Sequence, residues 1–169
     1  MNHTHLHLVV NHLPIIFPVV GMILLLIGIF TKTEVSKRNS YFIFILGALT
    51  SIAAMATGEG AEHGVENLPG VTERLIETHE EAAEVFAALS YILGGISMVA
   101  LFASIRNYTF SKIMPFVVGL FGLATLFFAQ KAGTTGGEIR HTEIRSVATS
   151  QNEINGNTFN KSEKDEDHD

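Results

Sequence analysis

The chain has 169 residues, of which 47% are hydrophobic and only 17% charged, with a formal net charge of −6, eight histidines and no cysteine. Soluble domains carry about 25% charged residues, so a water-soluble globule is a poor fit. The lack of cysteine excludes disulfides, thiolate metal sites, iron–sulfur clusters, covalent c-type haem and cysteine nucleophiles. No basic face exists outside two short loops, which excludes nucleic-acid binding.

Residues 8–30, 41–58, 85–105 and 113–130 contain no Asp, Glu, Lys or Arg, in runs of 23, 18, 21 and 18 residues. A bilayer core is crossed by about 20 apolar helical residues, whereas barrel strands would alternate polar and apolar. The expectation is an all-α fold, an integral membrane four-helix up-and-down bundle. It would occupy residues 1–145, with helices at about 8–30, 41–63, 71–105 and 113–132. Residues 146–169 are polar and end acidic, so we expect a disordered tail.

In chain order, the first segment lacks a basic n-region and a small-x-small cleavage site, and reads as a retained anchor rather than a signal peptide. Pro14 and Pro18 fall in its first turns, where missing N–H donors matter least. The following loop carries Lys32, Lys37 and Arg38, and the loop after the third helix carries Arg106 and Lys112. Residues 59–84 hold eight Glu and a single Arg. Lys and Arg on short loops mark the inner side, so both termini and the 59–84 loop are expected outside. Asn67-Leu68-Pro69-Gly70 is a turn signal, and Thr72 is placed to cap a third helix whose early Glu73, Glu77, Glu80 and Glu81 suit its positive end. Pro115 opens the fourth helix, and Gly133, Gly136 and Gly137 are expected to end it. Gly47 with Ser51, Ser90 with Gly94, and Gly21 with Gly28 recur at helix-packing spacing. No repeat between the two helical hairpins stands out.

The histidines are placed unevenly. Counting about 20 residues, or about 30 Å, out from the inner helix ends brings His12, His63, His79 and His141 to one outer level. Glu59 lies one turn before His63, Glu80 is adjacent to His79, and Glu84 is one turn below Glu80. Imidazole is a borderline nitrogen ligand, and carboxylates ligate or orient it; ionisable groups at membrane depth mark functional sites. His12, His63, His79 and His141 are therefore candidate cofactor ligands, joined by Glu59, Glu80 and Glu84 if the site holds a metal without a porphyrin. His3, His5 and His7 alternate at the N-terminus, as in a frayed end with adventitious metal affinity.

His7-Leu-Val-Val-Asn-His12-Leu-Pro14 resembles the His-Pro-x-x-x-His-x-Pro opening of a bacterial membrane family catalogued as domain of unknown function 2231. Thr57-Gly58 is similar to its Thr-Gly element, and Gly136-Gly137-Glu-Ile-Arg-His141 to its Gly-Gly element followed by a histidine. Leu8 replaces the family's proline, and its Tyr-x-His-Gly ending is absent. The resemblance covers about residues 7–143. It implies a four-helix protein of the bacterial inner membrane, maps onto His7, His12 and His141, and brings haem b as an expected cofactor.

Three functions remain open on sequence. The first is a haem b electron-transfer protein, exchanging electrons with membrane quinol or other membrane redox proteins. Gly58, Gly60, Ala61 and Gly64 beside His63, and Ala82, Ala83, Ala87 and Ala88 below His79, offer small side chains for a porphyrin slot. The second is a non-haem site for a divalent transition metal: zinc, iron or copper. The third is a non-catalytic membrane subunit or scaffold with structural histidines. No catalytic residues are identified: His79-Glu80-Glu81-Ala82-Ala83 ends in Ala where a zinc protease needs His.

Overall fold

A computed structural model describes residues 3–62, 64, 69–141 and 144–145. The elements are α1 (His3–Val10), α2 (Leu13–Phe30), α3 (Glu34–Glu62), α4 (Glu73–Ile105), a single 3-10 turn (Thr109–Lys112) and α5 (Met114–Arg140). The fold is all-α. Four helical stretches are long and apolar enough to cross a membrane: His5–Phe30, Glu34–Gly58, Glu73–Ile105 and Met114–Ile139. The long helices pack in a closed ring, α2 on α3, α3 on α4, α4 on α5 and α5 back on α2, while α1 lies on α3. This is an up-and-down bundle of two hairpins. His63 and the tail from residue 146 lie outside the described residues.

The element boundaries differ from the sequence expectation in three places, each for a local reason. The first segment is split. Pro14 sits in the first turn of α2 and has no N–H to continue α1, so the chain turns at Asn11–His12 and the helix restarts, with the His12 carbonyl accepting from Ile15 and Ile16 N–H. The second helix begins at Glu34 rather than near 41, because Glu34-Val-Ser-Lys-Arg contains no breaker and a Lys37–Glu34 ion pair at 2.8 Å spans its first turn. The fourth runs through Gly133, Gly136 and Gly137 to Arg140. Mid-helix glycine costs about 1 kcal/mol relative to Ala, and here the absent side chains admit neighbours: a Cβ on Gly136 would fall 2.9 Å from His79 Cε1, and one on Gly137 would fall 3.0 Å from Ile144 Cδ1. Thr72 does occupy the N-cap of α4, but through its backbone; its hydroxyl makes no capping bond.

The packing explains why small residues recur. A Cβ on Gly94 would lie 2.5 Å from that of Ala48, and one on Gly21 would lie 2.7 Å from the Phe44 ring. Glycine lets these helices approach closely, with Met22, Leu25, Tyr41, Phe44, Leu93, Ala100 and Val118 forming the main core. A second, slimmer core of Ala82, Phe86, Ala129 and Ala132 lies toward the other end of the bundle. Outward positions such as Ile23, Ile52, Val99, Phe116, Leu120 and Phe127 remain exposed, as a lipid-facing surface requires.

The bundle thus has two chemically different ends. One carries Lys32, Lys37, Arg38, Arg106 and Lys112 on the two tight turns and the first turns of α3; we call it the basic end. The opposite, histidine end carries α1, the start of α4 and the C-terminal turns of α3 and α5.

Candidate functional site

Two histidines at this end are half-buried within the bundle: His7 on α1 and His79 on α4. His7 Nδ1 lies 3.1 Å from Thr57 Oγ1 on α3. His79 Nδ1 lies 3.2 Å from Thr135 Oγ1 on α5.

The threonine hydroxyls bear on which ring nitrogen carries the proton. Thr57 Oγ1 donates to the Ala53 and Ala54 carbonyls, both at 3.0 Å. Thr135 Oγ1 donates to Lys131 O at 3.1 Å and Ala132 O at 3.2 Å. A hydroxyl has one proton; once it is given to the helix, the oxygen can only accept. With the oxygen accepting, the facing ring nitrogen is Nδ1–H and the lone pair of the neutral imidazole lies on Nε2; a hydroxyl that gave its proton to the ring instead would reverse this. Among the described residues neither Nε2 has a hydrogen-bond partner. Asn11, one turn on from His7, adds a buried Oδ1 that also lacks a partner among them.

The sequence-expected residues are placed as follows. His79 is in the site. His12 is exposed in the turn between α1 and α2, and His141 is exposed at the C-cap of α5. Glu80 and Glu84 are exposed on α4. Glu59 belongs to α3, and its side chain and His63 are outside what is described. Among the described residues no group of three or more His, Asp or Glu side chains is arranged to hold a metal ion.

Thr57, Thr135 and the pairing of His7 were not singled out by spacing. The signal for them is nevertheless in the chain. Ala54-Met-Ala-Thr57-Gly58 and Ala132-Gly-Thr-Thr135-Gly136 share the pattern Ala-x-x-Thr-Gly, and Thr-Gly occurs nowhere else in the 169 residues. No family model, curated protein or solved structure matches the chain.

Proposed function

We propose that this is a multi-pass protein of the bacterial inner membrane that binds haem b at the outer end of its bundle and passes electrons between membrane quinol and an acceptor outside. The observation that carries this reading is the pair of half-buried imidazoles, each with Nδ1 within hydrogen-bond distance of a threonine hydroxyl on a neighbouring helix, 3.1 Å for His7 and 3.2 Å for His79. Ligating histidines are held in this way by their other nitrogen. Haem iron can take two imidazole nitrogens as its axial ligands, and helical bundles build cofactor sites from side chains on facing helices. The motif resemblance to domain of unknown function 2231 points the same way.

The donor set fits the group. Both ligands are neutral nitrogens rather than carboxylates, and the nearest core, Ala82, Phe86, Ala129 and Ala132 with Ile15 and Phe128 against it, is apolar. His7 and His79 would hold the iron, and Asn11 Oδ1 would accept a hydrogen bond from a bound molecule or water. The haem would supply a one-electron couple; the chain supplies its ligands, their orientation and an apolar surround. The five Lys and Arg residues of the two turns, against one in residues 59–84, support an inward basic end and outward termini.

The test is an absorption spectrum with haem and metal content of the protein purified from membranes in mild detergent. The reading expects a Soret band and close to stoichiometric haem b, lost in His7→Ala and His79→Ala. Bound zinc, iron or copper without a Soret band would favour the non-haem metal reading. Neither haem nor metal would favour a subunit or scaffold.

A further inference from the structure

The two hairpins end their first helices in the same way. After α2, Thr31 is the C-cap, Lys32 takes the left-handed conformation at φ 57, and Thr33 N–H bonds back to Gly28 O at 3.0 Å. After α4, Arg106 is the C-cap, Asn107 is left-handed at φ 56, and Tyr108 N–H bonds back to Ala103 O at 3.0 Å. These are the same helix-terminating turn. Each is central in its hairpin. Lys32 lies 25 residues after His7 and 25 before Thr57; Asn107 lies 28 residues after His79 and 28 before Thr135. Equal helical arms return the chain to the level it left, which is why each histidine meets the threonine of its own hairpin. Both hairpins run in the same sense along the bundle, so they relate by rotation about its long axis, as in parallel repeats.

We infer that the two hairpins are structural repeats of one element, and that the histidine end is built from two equivalent half-sites in which Thr57 and Thr135 are positioning residues holding His7 and His79 as Nδ1–H tautomers. What the Nε2 lone pairs bind rests on the function proposed above; the tautomers themselves do not.

The half-sites are equivalent in pattern and unequal in tightness. In the second, the His79 ring lies against Gly136, where a Cβ would fall 2.9 Å from Cε1 and 3.2 Å from Nδ1. In the first, a Cβ on Gly58 would fall 3.9 Å from His7 Cε1, an ordinary contact. His79 is carried by a 33-residue helix, whereas His7 rides on the eight-residue α1, separated from α2 by the Asn11–His12 turn. The second half-site is the more tightly packed of the two.

The test is nitrogen NMR of the full-length protein in nanodiscs, labelled with 15N-histidine and without added cofactor, with His7 and His79 signals assigned by their loss in the alanine variants. Both are expected as Nδ1–H, Nε2-unprotonated imidazoles. Thr57→Val should mix the tautomers of His7 alone and Thr135→Val those of His79 alone, while Thr57→Ser and Thr135→Ser restore the pattern by returning the hydroxyl. Gly136→Ala should move the His79 signals more than Gly58→Ala moves those of His7. In a parallel haem titration each valine variant is expected to weaken binding by about 10- to 100-fold, the range for an orienting partner of a ligand. An Nε2–H tautomer at either histidine, or valine variants that leave both signals unchanged, would overturn the inference even if haem binds. Fixed tautomers in a protein that takes up no haem would support it and reject the proposed cofactor instead.

Discussion

The basic end and the histidine end of the bundle solve opposite problems. At the basic end Arg38 reaches from α3 to the last turn of α4, its Nε donating to Ser104 Oγ at 2.9 Å and its Nη2 to Ser104 O at 2.8 Å. Ser36 donates to Leu24 O, Thr31 to Ile27 O, and Lys37 pairs with Glu34. Side-chain donors there are spent on closing the turns. At the histidine end the same kinds of group are fixed on one side and left open on the other: two Nε2 atoms and Asn11 Oδ1. Buried polar groups are nearly always partnered, so the buried, unpartnered Asn11 Oδ1 beside two threonine-bonded imidazoles favours the histidine end as the one that binds something, and the basic end as the one that holds the helices in register.

That contrast can be broken by substitution. The largest effect is expected for His79→Ala and His7→Ala, each removing a ligand nitrogen: haem content after purification should fall to background while membrane insertion is retained. Next come Thr57→Val and Thr135→Val, which leave the ligand but free its orientation; about a 10- to 100-fold loss of haem affinity by spectrophotometric titration is expected. Gly136→Ala should follow, since overpacking of this kind costs about 1–3 kcal/mol and falls on the His79 ring. Arg38→Ala acts at the other end. It removes two charge-assisted hydrogen bonds and should lower unfolding stability by about 2–3 kcal/mol, seen as a lower Tm in detergent with haem content unaltered. Haem loss in Arg38→Ala, or its retention in His79→Ala, would erase the distinction between the ends.

Much of the architecture was legible in the sequence because the bilayer imposes a simple rule: charge-free runs of about 20 residues are spans. The expectation of a common level for the histidines came from the same count, and His79 was reached by it. His7 was not, because alternating histidines at a terminus look like a frayed end; only the turn forced by Pro14 lets α1 lie on α3 and bring His7 over Thr57. Helix α5 outran expectation because local propensity treats Gly136 as a breaker, while the structure uses its missing side chain to seat the His79 ring. The repeat escaped notice because helix faces of Leu, Ile, Val and Phe vary freely under lipid, leaving Ala-x-x-Thr-Gly and one threonine-bonded histidine per hairpin as its residue.

The ligand pair itself is tested most directly by low-temperature electron paramagnetic resonance of the oxidised, haem-loaded protein. The account predicts a low-spin ferric signal of bis-imidazole type, converted to high spin in His7→Ala and in His79→Ala and unchanged in His12→Ala, whose side chain is exposed. A signal that survives in His7→Ala and is lost in His12→Ala would contradict it.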